Sequence, residues 1–183
     1  MVHPIIEDLL WRHTTKKYNT EKKIPQEDLD VLFEAMHLSA SSINSQPWKF
    51  IIVDEPELVK KVASCTYSSI VKFNKFTDNA AAFAVVVMEP GTFTSKAGSI
   101  FTNTDYALMD MGMAVEHFCL QAAELKLGTC ILGWRRQGAI KKLLSIPNIK
   151  KVSLVIAIGY EENPVIRKKT RKPIDEMSSY NKY

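Results

Sequence analysis

The chain lacks most of the short motifs that announce a chemistry. Its three cysteines, Cys65, Cys119 and Cys130, are odd in number and far apart, with no CxxC pair. That spacing argues against a disulfide framework and against a zinc site, and leaves each thiol as a small, largely buried hydrophobe. No apolar run reaches the roughly 18 residues that a membrane span requires. The start, MVHPIIEDLLWRHTT, has no basic leader, no long apolar core and no small-residue cleavage site, so the expected setting is reducing and cytoplasmic. There is no P-loop, no GxGxxG, no nucleophile elbow and no zinc-binding helix motif. A bound phosphate would therefore need side-chain cations rather than a glycine-rich turn.

Charge is also modest. The formal balance is +4 over 183 residues, too mild to imply nucleic acid by itself. Tyr180 and Tyr183 lie outside the basic part of the tail, which leaves a nucleic-acid groove without interleaved aromatics. A length of 183 residues suits one domain, or two intertwined copies of one chain. A chain of that size buries roughly 70% of the surface its unfolded form exposes and needs no covalent staples.

What is present is an interleaving of helical and strand-like patterns. Apolar residues at 5, 6, 9 and 10 give a first helix over 3–11. Pro25, then Gln26, Glu27 and Asp28, open a second, whose stripe is Leu29, Leu32, Phe33 and Met36. KFIIVD reads as a strand and Glu57 to Ala63 as a short surface helix. AAAFAVVVM at 80–88 reads as a strand covered on both faces. Glu89 to Ser99, with Pro90, Gly91 and Gly98, reads as a loop. Asp105 to Leu127 is the longest helical stretch, with Gly128 as its expected C-cap. It is apolar nearly all round, so it should be buried nearly all round, most easily against a second subunit. Gly133-Trp134 marks a turn, Ala139 to Leu144 a short helix, and KVSLVIAIGY at 151–160 a third strand. The class is α/β or α+β.

Two basic clusters stand far apart: Arg12, Lys16 and Lys17 near the start, and Arg167, Lys168, Lys169, Arg171 and Lys172 near the end. Arginine forks and lysine ammonium groups suit phosphate, although charge runs alone more often face water. Between them lies ASSINSQPWKF at 40–50, short hydrogen-bonding side chains followed at once by a strand. Taken blandly, this is a helix end, an Asn turn and a Pro that blocks helix continuation.

WRHTTKKY, SASSINSQPWKF, FNKF, the Asp110-bearing helix ending AAELKLGTC, LGW and KKTRKP occur in the order seen in the nitroreductase family. The resemblance runs from about Ile5 to about Ile174. It implies an α+β fold layered α/β/α, with a central, mainly antiparallel sheet flanked by helices, in an intertwined homodimer. One domain would occupy residues 1–183, with the tail from about 164 to 183 extended across the partner.

The resemblance also implies FMN at the subunit interface and NAD(P)H as co-substrate. Hydride would pass through flavin N5 to nitroaromatic, quinone or similar electron-poor acceptors, with no nucleic acid and no membrane involved. The other use of such a chain is flavin storage, redox sensing or delivery of reduced flavin. Arg12, His13, Thr14 and Lys16 match the first flavin-contacting block, with Arg12 on the phosphate and Lys16 at the pyrimidine edge, where a cation stabilises the reduced ring. Ser41, Ser42 and Asn44 match the block that reaches FMN from the other subunit, and Asn74 matches an asparagine at the polar edge of the ring. Leu132 and Gly133 match a backbone pair beside N5, and Lys169 and Arg171 the terminal phosphate anchors. No side chain is assigned as catalytic, because the chemistry lies on N5, and no metal is expected.

Ala40 replaces a common Pro, Leu132 a common Glu, and Thr77 a second Lys. The stretch from Pro90 to Asn103 is short and implies an open site. Asp110 is expected to pair across the dimer or cap a polar pocket, and His13 to hydrogen-bond locally.

Overall fold

The computed structural model describes residues 3–70, 72–90 and 104–183. The expected loop over 89–99, and the cover expected to be missing between 90 and 103, fall almost entirely outside those residues.

Four strands form one antiparallel sheet: β1 (Trp48–Val53), β2 (Ala82–Met88), β3 (Leu127–Leu132) and β4 (Lys151–Tyr160). Their order across the sheet is β1-β2-β4-β3. β2 is central, and its first six residues are buried. Period-two alternation explains why a continuous apolar run is needed there. Phe83, Val85 and Val87 face one core, while Ala82, Ala84 and Val86 face the other.

Helices α1 (Pro4–Trp11), α2 (Gln26–His37), α3 (Pro56–Ser64), α4 (Tyr106–Glu124) and α5 (Gln137–Leu143) complete the described chain. α2 and α4 cover one face of the sheet through Leu29, Leu32, Met111, Ala114, Phe118 and Ala122. α3 and α5 cover the other through Val59, Val62, Ala63 and Ile140. The result is the expected α/β/α layering. Glu55 starts α3 by accepting the Glu57 and Leu58 N–H groups at 3.0 and 2.7 Å. Asp105 starts α4 by accepting from Leu108 N at 3.2 Å.

The long helix departs from expectation in two ways. It stops at Glu124, and Lys126, not Gly128, takes the left-handed conformation beyond it (φ 60°). Gly128 belongs to β3, a strand the sequence pattern does not predict, and it is needed for space rather than for its φ. A Cβ there would lie 2.4 Å from Thr15 Oγ1. Second, α4 is not buried all round within one chain, because Leu108, Met109 and Met113 are exposed.

All three cysteines are buried. Burial pushes the Cys119 thiol up to about 12 and raises that of Cys130, so neither ionises near neutrality.

Candidate functional site

β3 is an edge strand, and residues 12–18 cover that edge. Thr14 bridges Thr129 in parallel, and Tyr18 bridges Glu161. Thr15 N–H donates to the Thr129 carbonyl at 2.9 Å. This arm alternates like a strand: Thr15 is buried, whereas Thr14 and Lys16 are exposed.

Inward side chains of the arm meet the residue that follows β4. His13 Nδ1 donates to the Trp11 carbonyl at 2.7 Å, and its Nε2 lies 2.7 Å from Glu161 Oε1. Thr15 Oγ1 donates to the same carboxylate oxygen at 2.6 Å. His13 is thus a local hydrogen-bonding residue, as the sequence suggests, and its ring is turned toward the protein.

Cations from both ends of the chain converge beside the arm. Lys169 Nζ donates to the Arg12 carbonyl, and Arg167 Nη1 donates to the Thr14 carbonyl at 3.4 Å. Lys169 is held below its usual pKa first by burial, then by the charges of Arg12 and Arg171, against the opposing charge of Glu116. Arg12 Nε lies 3.5 Å from that half-exposed Glu116 carboxylate. Arg12, Lys169 and Arg171 therefore form a cluster with excess positive charge, which an anion would relieve. Arg167, Lys168 and Lys172 are exposed, and Arg167 lies 3.8 Å from Glu161.

Four residues along the arm from Arg12, about 13 Å of extended chain, Lys16 reaches Phe76, with Nζ 5.9 Å from the ring centroid. Its charge is also felt at Cys130, two residues before Leu132. Leu132 is buried, while Gly133 is exposed, and a Cβ on it would meet nothing within 4 Å. Its φ is not positive, so the turn there is not left-handed; what Gly133 offers is main chain without side-chain bulk, its carbonyl accepting from Arg135 Nη1. Asn74 lies two residues before Phe76 but is buried, with its Nδ2 donating to the Thr66 carbonyl at 3.0 Å. That amide hydrogen already holds a turn, and Thr77, the position where the family's second Lys would fall, bonds Thr66 across it at 2.7 Å.

The serine block forms a strained knuckle on the surface. Ile43, Asn44 and Gln46 have φ of 46°, 54° and 44°. A β-branched residue at positive φ is a genuine outlier, costing on the order of 1–3 kcal/mol. Buried Asp110 pins the knuckle to α4: its Oδ1 accepts the Ser42 N–H at 3.0 Å and its Oδ2 accepts from Ser45 Oγ at 3.3 Å. Ser41 Oγ accepts the Gln46 N–H at 3.0 Å. Ser41, Ser42 and Asn44 sit away from the cation cluster's hydrogen-bond network, and Ile43 is 57% exposed. Asp110→Ala is expected to lower stability by about 1–2 kcal/mol, because it removes the acceptor of a half-buried N–H and hydroxyl. Asp110→Asn, which keeps an acceptor for Ser42, should cost less. Urea unfolding of the two variants measures the difference, and equal costs would remove Asp110 as the pin.

Comparison with known proteins places this arrangement. The model of the nitroreductase family matches residues 9–160. The chain belongs to the nitroreductase family. A relative from Aliivibrio fischeri named major NAD(P)H-flavin oxidoreductase is 45% identical over 94 residues, 51% of this chain and 43% of that one. The match thus spans less than half the length of that relative. An oxygen-insensitive NADPH nitroreductase from Helicobacter pylori is 22% identical over 193 aligned positions, covering 91% and 92% of the two chains. An FMN-dependent nitroreductase from Clostridium difficile shares the fold at a TM-score of 0.73 with 23% identity, over 97% of this chain and 99% of that one. This nitroreductase-family chain therefore has the α+β nitroreductase fold, with a fully antiparallel sheet among the described strands. Among the described residues no helix is long and apolar enough to cross a membrane.

The sequence singled out the cations and the serine block, but not Thr15, Glu116 or Glu161. The period-two pattern of HTTK was a signal for Thr15. A lone carboxylate after a strand gave none for Glu161.

Proposed function

We propose that this nitroreductase-family protein is an FMN-dependent oxidoreductase. It would pass hydride from NAD(P)H to a nitroaromatic, a quinone or a similar electron-poor acceptor. The observation that carries the reading is the convergence of Arg12, Lys169 and Arg171, with Lys169 Nζ on the Arg12 carbonyl and its ammonium disfavoured first by burial and then by the two guanidinium charges. A phosphate monoester placed there would satisfy three donors at once.

The residues present fit the cofactor. Arg12 and Lys16 stand at opposite ends of the arm, as a phosphate and a ring at the two ends of one cofactor would need, and the absence of a side chain at Gly133 leaves room for a flat ring. When bound, FMN supplies the hydride-accepting N5 atom. Arg12, Lys169 and Arg171 would hold the phosphate. Lys16 would stabilise negative charge on the pyrimidine edge. The Leu132–Gly133 main chain would lie beside N5. Asn74 would contribute its carbonyl side, since an amide hydrogen is engaged by Thr66. His13 would orient the arm rather than transfer protons.

Supporting a homodimer, Ile5, Ile6, Leu9 and Leu10 on α1 and Leu108, Met109 and Met113 on α4 leave apolar surface uncovered. The pinned Ser41–Asn44 knuckle would then reach the partner's flavin. The printed name of the Aliivibrio relative favours a second reading, in which reduced flavin itself is the product delivered.

An absorption spectrum and a rapid-mixing experiment test the proposal. The purified protein should be yellow, or turn yellow with FMN, and should bleach with NADH or NADPH and recover with a nitro compound. Bleaching followed by release of reduced flavin supports the delivery reading. Protein that stays colourless with FMN overturns both.

A further inference from the structure

Next to this site lies a cleft that neither the fold nor the flavin reading uses. It has a volume of about 560 Å³ and is lined by Ser64, Tyr67, Ser69, Lys72, Lys75 and Arg136, among others. That volume falls within the few-hundred to thousand Å³ range of small-molecule sites. None of the flavin-phosphate cations borders it.

The lining is cationic and hydroxylic. Arg136 is fixed in place: its Nη2 donates to the Ser64 carbonyl at 2.8 Å and its backbone N–H to the Cys65 carbonyl at 2.8 Å. Lys72 and Lys75 stand on the turn that carries Asn74, and Lys75 N–H donates to the Lys72 carbonyl at 3.0 Å. Tyr67 of the lining donates its Oη to Asp78 at 2.7 Å. Among the described residues no carboxylate pairs with Lys72, Lys75 or Arg136. The cleft is tied to the segment that holds Asn74, because Arg136 N–H bonds the Cys65 carbonyl and Asn74 Nδ2 the next carbonyl, that of Thr66.

We propose that this cleft binds the phosphate groups of the reduced nicotinamide dinucleotide, and so selects the electron donor. The inference rests on the flavin-dependent reading. Three cations spread over an open cleft exceed what one acceptor carboxylate needs. They match a ligand with several phosphates, whose pyrophosphate and 2′-phosphate meet arginine forks and lysine ammonium groups while hydroxyls meet the ribose. The dinucleotide's other end would then reach the ring position.

Calorimetric titration of the full chain with 2′,5′-ADP and with ADP reads the cleft without any redox step. Binding of 2′,5′-ADP should weaken as salt rises, since the cations are exposed. It should also weaken roughly tenfold in Lys72→Gln/Lys75→Gln and in Arg136→Gln, as expected for lost charge-assisted contacts. Weaker binding of ADP than of 2′,5′-ADP assigns the 2′-phosphate to the cleft, and ADP binding that is as tight or tighter and is weakened in the same variants assigns the pyrophosphate. FMN retention, measured in the same samples, should match the parent. In turnover, the variants should raise KM for the dinucleotide with kcat unchanged. Unchanged nucleotide affinity in variants that stay yellow overturns this inference alone. A rise in KM for an anionic acceptor only would also overturn it. A colourless parent overturns the flavin reading, while the ADP titration still judges the cleft.

Discussion

Protein carrying Arg12→Ala together with Arg171→Ala is expected to lose FMN on purification. Each guanidinium contributes a charge-assisted contact worth about 1.5–3 kcal/mol when well formed. Arg12 is one-fifth exposed and Arg171 is fully on the surface, so the low end applies to both. Two such losses come to about 3 kcal/mol, or roughly a hundredfold in Kd. The expected signature separates binding from folding. In the free protein these cations repel Lys169 while Arg12 also pairs with half-exposed Glu116, so the two effects offset and removing both guanidinium groups should leave the thermal midpoint of the flavin-free chain nearly unchanged. A purely structural pair would instead drop the midpoint and leave flavin affinity alone. Fluorescence titration of FMN beside a melting curve reads both quantities. Retention equal to the parent would remove the phosphate-anchor assignment.

Part of this architecture is written in local pattern. Continuous burial of Ala82–Val87 followed from a run with no polar face, and β1 from the apolar run KFIIVD. The serine block stood out because so many short polar side chains precede a buried strand, and its assignment as a flavin contact came only from the resemblance to the family. Its conformation was not readable, since nothing in the word Ser-Ile-Asn announces a β-branched residue at φ 46°. That geometry exists because Asp110, about seventy positions away in the chain, pins it.

β3 was hidden for a similar reason. LGTCIL is short, with a glycine and a threonine among its six residues, and Gly128 just after the helical pattern imitates a cap. Tertiary contact with Thr15 explains that glycine better than backbone conformation does. The two basic clusters were legible as phosphate-seeking residue types. Their meeting depended on the arm lying along the β3 edge, which no sequence window contains.

Glu161→Ala should be the most damaging single change outside the apolar core. The side chain is 6% exposed, and its Oε1 takes the Thr15 hydroxyl at 2.6 Å and faces His13 Nε2 at 2.7 Å. Oε2 has no hydrogen-bond partner among the described residues, and Glu161 borders a cavity of about 10 Å³, which is room for about one water. Breaking a buried pair from one side costs about 3–5 kcal/mol, because the remaining polar groups keep their desolvation penalty. For a chain of this length each kcal/mol lowers the midpoint by about 2–4 °C, so a fall on the order of 10 °C is expected. Glu161→Gln keeps the shape and one acceptor and should fall less. The loss should also reach the cofactor, since Glu161 ties the arm bearing Arg12 to the segment that leads into Lys169. Melting curves with and without FMN measure both effects. An Ala variant that melts with the parent would mean that His13 and Thr15 find other partners, and that the two ends of the chain are held together by the cations' own contacts instead.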